Sequence, residues 1–247
     1  TGASNTATGW SALINNTTAS HNSAFGYQAL QANTTGSHNT SVGKQSLYTN
    51  TTGANNTASG YRALFSNTTA ARNVAIGYKA MMDNTTGTSN TAVGNNALEN
   101  NTTGSYNTAS GYNAGCSTTT GKHNTFSGYA AGKLNSTGCY NTASGYRSLI
   151  YNSTGKFNTA FGGCALFCNT TSECNTGVGF NALRDSTTGS QNVAVGWAAN
   201  QTNTTGNYNT SIGTGALHLN TTGSSNIAAG FKSLFQNTTA SHNIGIG

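Results

Sequence analysis

Asn73-Val74-Ala75-Ile76-Gly77 is the stretch on which the fold turns. Versions of it return every 17 residues. The opening Asn stands at 5, 22, 39, 56, 73, 90, 107, 124, 141, 158, 175, 192, 209, 226 and 243, and a Gly follows four residues later each time, from Gly9 to Gly247. Neither residue varies in fifteen copies, so Asn73, Gly77, Asn90, Gly94, Asn192 and Gly196 are read as rungs of a structural ladder. A fixed period marks a repeat architecture, in which each unit buries its apolar side only against its neighbours.

With the Asn counted as position 1, the unit reads Asn-Thr-Ala-x-Gly-aromatic-x-Ala-Leu-x-x-Asn-Thr-Thr-Gly-x-x. Two Gly per unit, with Asn and Thr between them, make a helix a poor reading. Position 2 is β-branched in every copy except Ser23, which suits a short strand. Position 3 is Ala, Ser or Gly apart from Phe126, and position 8 is always Ala or Ser, so both mark close backbone approach. Position 9 is Leu or Met in eleven of fourteen copies. Together with a half-apolar position 4 (Val42, Ile76, Val93, Ile212), these residues are expected to form a thin core. Ordering each residue costs about 1–2 kcal/mol, so one such coil cannot fold alone and copies must stack. Asn-Thr-Thr-Gly, as in Asn33 to Gly36, is a turn signal. The expectation is an all-β, repetitive parallel β-solenoid or β-roll with one coil per 17 residues. Residues 1–247 form a single continuous array of about 14.5 repeats. Fourteen coils at the interstrand spacing would rise on the order of 70 Å. The array starts and stops within a repeat, which suggests a window of a longer fibre.

Composition narrows the function. Only 6% of residues are charged, there is no Pro, and the net charge of +6 comes from thinly spread Lys and Arg. No basic cluster gives the footprint of a nucleic-acid binder, and no apolar stretch is long enough to insert into a membrane as a helix. Aromatics at fixed repeat positions argue for order rather than disorder.

The segments Asn73 to Ala80 and Asn192 to Ala199 resemble the head repeats of trimeric autotransporter adhesins. The full 17-residue form is more similar to the repeat shafts of phage and algal-virus tail-fibre-like proteins. The resemblance covers essentially the whole chain. It implies an extracellular, cell-surface or virion fibre acting by length and display, with copies of itself and a cell-surface glycan or receptor as partners. With only four carboxylates and no catalytic constellation in fifteen copies, neither catalysis nor a cofactor is expected. The adhesin heads are β-rolls of three chains; a single-chain solenoid stays open beside a trimer.

Other features could carry chemistry. Position 12 places Asn-x-Thr sequons at Asn16, Asn33, Asn50, Asn67, Asn84, Asn101, Asn135, Asn152, Asn169, Asn203, Asn220 and Asn237. They are either N-glycan acceptors, as in the glycan-coated filament of a eukaryotic microbe, or turn Asn stacked in hydrogen-bonded ladders. Position 6 is aromatic in ten copies, from Trp10 to Phe231, which fits packing or sugar stacking. The four carboxylates lie in separate units, with Asp83 and Glu99 as possible neighbours. A glycosidase needs two flanking its bond. His21, His38, His123 and His242 share position 17 as a surface row. Of five Cys, Cys168 and Cys174 are the candidate local disulfide across a turn. Gly115 and Gly132 in place of Leu suggest a looser or differently packed patch. Thr columns raise ice binding as a further alternative.

Overall fold

The computed structural model describes residues 2–247. They fall into two compact units, one up to His123 and one from Asn124 to Gly247. Among the described residues every regular element is a three-residue strand, at positions 2–4 of each repeat, from Thr6–Thr8 to Ile244–Ile246. The fold is an all-β parallel solenoid with one coil per 17 residues. Within each unit consecutive strands pair in parallel and in repeat register, as in Val74 with Thr91, Ala75 with Ala92 and Ile76 with Val93.

Strands this short hold because the neighbouring coils supply hydrogen bonds around the whole circuit. In the coil from Asn73 to Ser89, Val74 N–H donates to Asn90 O of the next coil (2.8 Å). Gly77 N–H donates to Ser59 O of the previous one (2.8 Å). Asp83 and Thr85 donate to Glu99 and Thr102 on the next coil, each at 2.9 Å. Lys79, Met81 and Ser89, at positions 7, 9 and 17, have φ of 53°, 49° and 57°. That is the left-handed region, which costs a non-glycine residue about 1–2 kcal/mol. Each of the three N–H groups donates to an adjacent coil: Lys79 to Tyr61 O, Met81 to Ala97 O and Ser89 to Ala71 O. The bends that close the circuit are thus held by neighbours, which is why a lone coil does not suffice.

The core lies where positions 3, 8 and 9 converge, with Ala75, Ala80 and Met81 fully buried. Position 4 does not join it. Strand side chains alternate in direction, and Ile76, Val93 and Phe161 stand 42%, 39% and 44% exposed. The expected half-apolar contribution to the core is instead an outward file.

At Gly132 the patch is packed differently rather than loosely. Phe126, the one large residue at position 3, is fully buried and fills the space that Leu occupies elsewhere. A Cβ on Gly132 would come within 2.3 Å of the Phe126 ring. The two departures compensate each other inside one coil.

Asn200 is different. It replaces the position 9 Leu, is fully buried, and neither its Oδ1 nor its Nδ2 has a hydrogen-bond partner. A buried polar group left unpaired costs about 1–3 kcal/mol. Asn200→Leu restores the residue found at Leu183 and Leu217 and is expected to stabilise the chain by about 2 kcal/mol or more. A denaturant midpoint unchanged or lowered by the substitution would contradict this.

Candidate functional site

The interior is lined by two Asn ladders. At position 1, Asn73 Nδ2 donates to Gly87 O of its own coil (2.9 Å), and its Oδ1 accepts from Asn90 N–H of the next (2.9 Å). The same pattern holds at Asn90, whose Nδ2 donates to Gly104 O at 2.8 Å, and at Asn192, whose Nδ2 donates to Gly206 O at 2.9 Å. Gly77, Gly94 and Gly196 follow their strands with φ of 134°, 136° and 134°. At position 12, Asn67 Nδ2 donates both to Asn50 Oδ1 below (2.7 Å) and to Ala70 O (3.1 Å).

This arrangement removes the glycan lattice. Asn33, Asn50, Asn67, Asn84, Asn101, Asn135, Asn152, Asn169, Asn203 and Asn220 are fully buried. Asn16 and Asn237, in the first and last coils, are half-buried. The nitrogen that would carry a sugar already donates to Gly or Ala carbonyls within the coil, as in Asn33 to Gly36 (2.9 Å). A glycan does not fit inside the folded coil, so position 12 is a structural ladder. Where Thr118 replaces the Asn, Asn101 Oδ1 loses its donor and is left without a partner.

The outer surface carries several files. Position 6 rings stack on the next coil, with centroids 5.0 Å apart for Trp10–Tyr27 and 5.4 Å for Tyr61–Tyr78 and Tyr129–Tyr146. Stacking covers the ring faces and leaves edges outward, so a continuous ladder is no platform for sugars. His21 and His38 stack likewise at position 17, at 4.9 Å. Thr at position 14 recurs in all fourteen copies and is exposed, including Thr120 and Thr188, whose coils lack the position 12 Asn. That invariance was visible in the sequence but was absorbed there into the turn signal.

Asp83 and Glu99 are brought to adjacent coils. Partial burial and then Glu99 push the Asp83 carboxyl above its usual range, with Lys79 opposing. Glu99 is held by Lys79 (3.8 Å) and Asn96. Among the described residues no group of three His, Cys, Asp or Glu is placed to hold a metal.

Cys168 and Cys174 are unbridged thiols, a correction to the expected pair. Between them Asn169 and Ser172 turn into the interior. Cys174 stands exposed at position 17, while Cys168 Sγ lies along the coil face 3.9 Å from Asp185 Oδ1. Burial and then Asp185 push the Cys168 thiol up, with Arg184 opposing.

Cys168 also lines a surface cleft of about 460 Å³, together with Arg147, Cys164, Phe167, Phe180, Asn181, Arg184 and Asp185. Arg147 lies 5.0 Å from the Phe167 ring centroid. Arg184 pairs with Asp185 through two hydrogen bonds, of 2.8 Å and 3.0 Å. No family model, no curated protein and no solved structure matches the chain.

Proposed function

We propose that the chain is the structural shaft of an extracellular or virion fibre, giving length and stiffness for adhesion or display. The observation that supports this reading most is the sameness of the coil. Backbone bonds and Asn ladders repeat in one register through each unit, so coils add without a new design. The resemblance to tail-fibre shafts and adhesin heads points the same way. Copies of the same chain are the first partners, and a surface glycan or receptor the next. The outward strand face, uncharged and partly apolar at positions 2 and 4, suits packing against a copy with the same spacing. The test is electron microscopy and sedimentation of the purified chain. Filaments or defined oligomers with an axial repeat of about 4.8 Å are expected. A monomer at all concentrations, in the absence of other factors, would overturn the assembly reading.

One observation favours a second reading, an ice-binding solenoid. Positions 2 and 4 lie two residues apart on one face, as in Thr6 and Thr8 or Thr40 and Val42, and the face carries no charge. Phe25 and Phe161 interrupt its flatness. Thermal hysteresis in solutions of the chain supports this reading, and its absence disposes of it.

A further inference from the structure

Of the ten Lys and Arg, only Arg72, Lys122 and Lys156 stand outside positions 6, 7 and 10 of the repeat. In sequence the others are spread thinly, never more than one to a coil. In the fold these three positions lie side by side, and the cations stand against rings. Arg62 Cζ lies 5.4 Å from the centroid of the position 6 ring Tyr61 and 4.9 Å from that of the position 10 ring Phe65. Arg147 Cζ lies 5.9 Å from Tyr146 and 5.0 Å from Phe167, the position 10 ring of the next coil. Lys232 Nζ lies 5.2 Å from Phe231 and 5.4 Å from Phe235. A cation within about 6 Å of a ring centroid is attracted by the ring. One device, a position 7 cation clamped by two rings, is therefore built at Arg62, Arg147 and Lys232.

These charges are held without being cancelled. Lys79 also meets a ring, Tyr78 at 5.4 Å, but Glu99 stands 3.8 Å from its Nζ. Arg184 pairs with Asp185. Arg62, Arg147 and Lys232 have no carboxylate partner among the described residues. Arg62 is the most firmly placed. Its Nε donates to Gln45 Oε1 (3.0 Å), and Gln45 Nε2 donates to Gln28 Oε1 (2.9 Å). Its two terminal nitrogens are left to an outside acceptor. On the coil before, the exposed Lys44 adds a second charge. A side chain already fixed in place loses less freedom when it binds. A guanidinium is weakly hydrated, and its fork matches an oxyanion.

The rings themselves are occupied. Tyr61 stacks on Tyr78 and Phe65 on Tyr48, with centroids 5.4 Å and 5.1 Å apart. Single-stranded nucleic acid relies on open ring faces, and a duplex on neutralising many phosphates. What this face offers is separate fixed cations beside covered rings. We propose that the ring-held cations Arg62, Arg147 and Lys232 are anion receptors for an acidic polysaccharide, each meeting one charged group along a sugar chain. The charged group has two sources, the carboxylate of a uronate and a sulfate ester. The proposal names the chemistry of the surface glycan in the shaft reading and rests on that reading.

The test titrates the 247-residue chain by calorimetry with polygalacturonate, with dextran sulfate and with neutral dextran. Saturable binding of an anionic probe is expected, with none of the neutral one, and which anion binds identifies the source. Joint replacement by Arg62→Gln, Arg147→Gln and Lys232→Gln should weaken binding by about tenfold or more. The control removes the same charge elsewhere, by Arg72→Gln, Lys122→Gln and Lys156→Gln, and should cost less than about threefold. Should the first variant misfold, Lys232→Gln alone, at an exposed position, should still weaken binding by about threefold. No binding of either anionic probe, equal losses in the two triple variants, or equally tight binding of single-stranded DNA overturns the proposal. Filament formation by the parent, seen by electron microscopy, reports on the shaft reading separately.

Discussion

Gly77→Ala is expected to lower the stability of the chain by about 3 kcal/mol or more. Gly77 has φ of 134°, where a side chain is strained whatever the space. The added Cβ would also stand 2.5 Å from Gly94 O and 2.7 Å from Gly94 C. Both atoms are backbone of the next coil and cannot swing aside. Gly53→Ala is the control. The nominal clash is as severe, 2.3 Å from Ala70 O. Gly53 has no positive φ, however, and the chain already carries Ala19, Ala70 and Ala240 at the same repeat position. Its cost should stay within about 1 kcal/mol. Denaturant unfolding of the two variants side by side tests the claim. Equal losses would mean that steric approach, rather than backbone conformation, fixes position 5.

Asn73→Ala is expected to cost about 2–4 kcal/mol. The substitution leaves the Asn90 N–H without its acceptor in a fully buried place and takes from the Gly87 carbonyl one of its two donors, leaving Asn84 Nδ2 (3.0 Å). Asn73→Asp keeps an acceptor for Asn90 but loses the donor to Gly87 and buries a charge, so it should be at least as harmful near neutral pH. If both variants unfolded at the same denaturant concentration as the parent, the ladder would be ornament rather than support.

Much of this was legible from residue order. The invariant Asn and Gly at positions 1 and 5 announced rungs, and each Gly proved to hold a backbone conformation closed to other residues. The small residues at positions 3 and 8 announced tight approach and are buried. Position 12 was legible as two alternatives, sequon or ladder, because Asn-Thr-Thr serves a glycan acceptor and a turn equally well. The cleft was not legible. Gly163 and Cys164 are unremarked departures in sequence, of the same kind as Thr214 and Gly215. A residue of the following coil approaches each gap, Lys232 and Phe235 at Gly215 and Phe180 at Gly163; the cleft lies beside Cys164, among Arg147, Phe167 and Phe180.

The sequence by itself determined the period, the parallel strand in every unit, and the dependence of each coil on its neighbours, because a strict repeat forces identical residues into register. Tertiary structure alone decided which side of the coil each residue faces. The circuit is bent by Lys79, Met81, Ser89 and their counterparts in left-handed conformation. Lys, Met and Ser do not favour that conformation in isolation, although the Asn and Gly at some of these positions do. Hydrogen bonds from adjacent coils impose it. Those bends turn position 12 inward to its ladder and, with the alternation of the strand, leave position 4 outside.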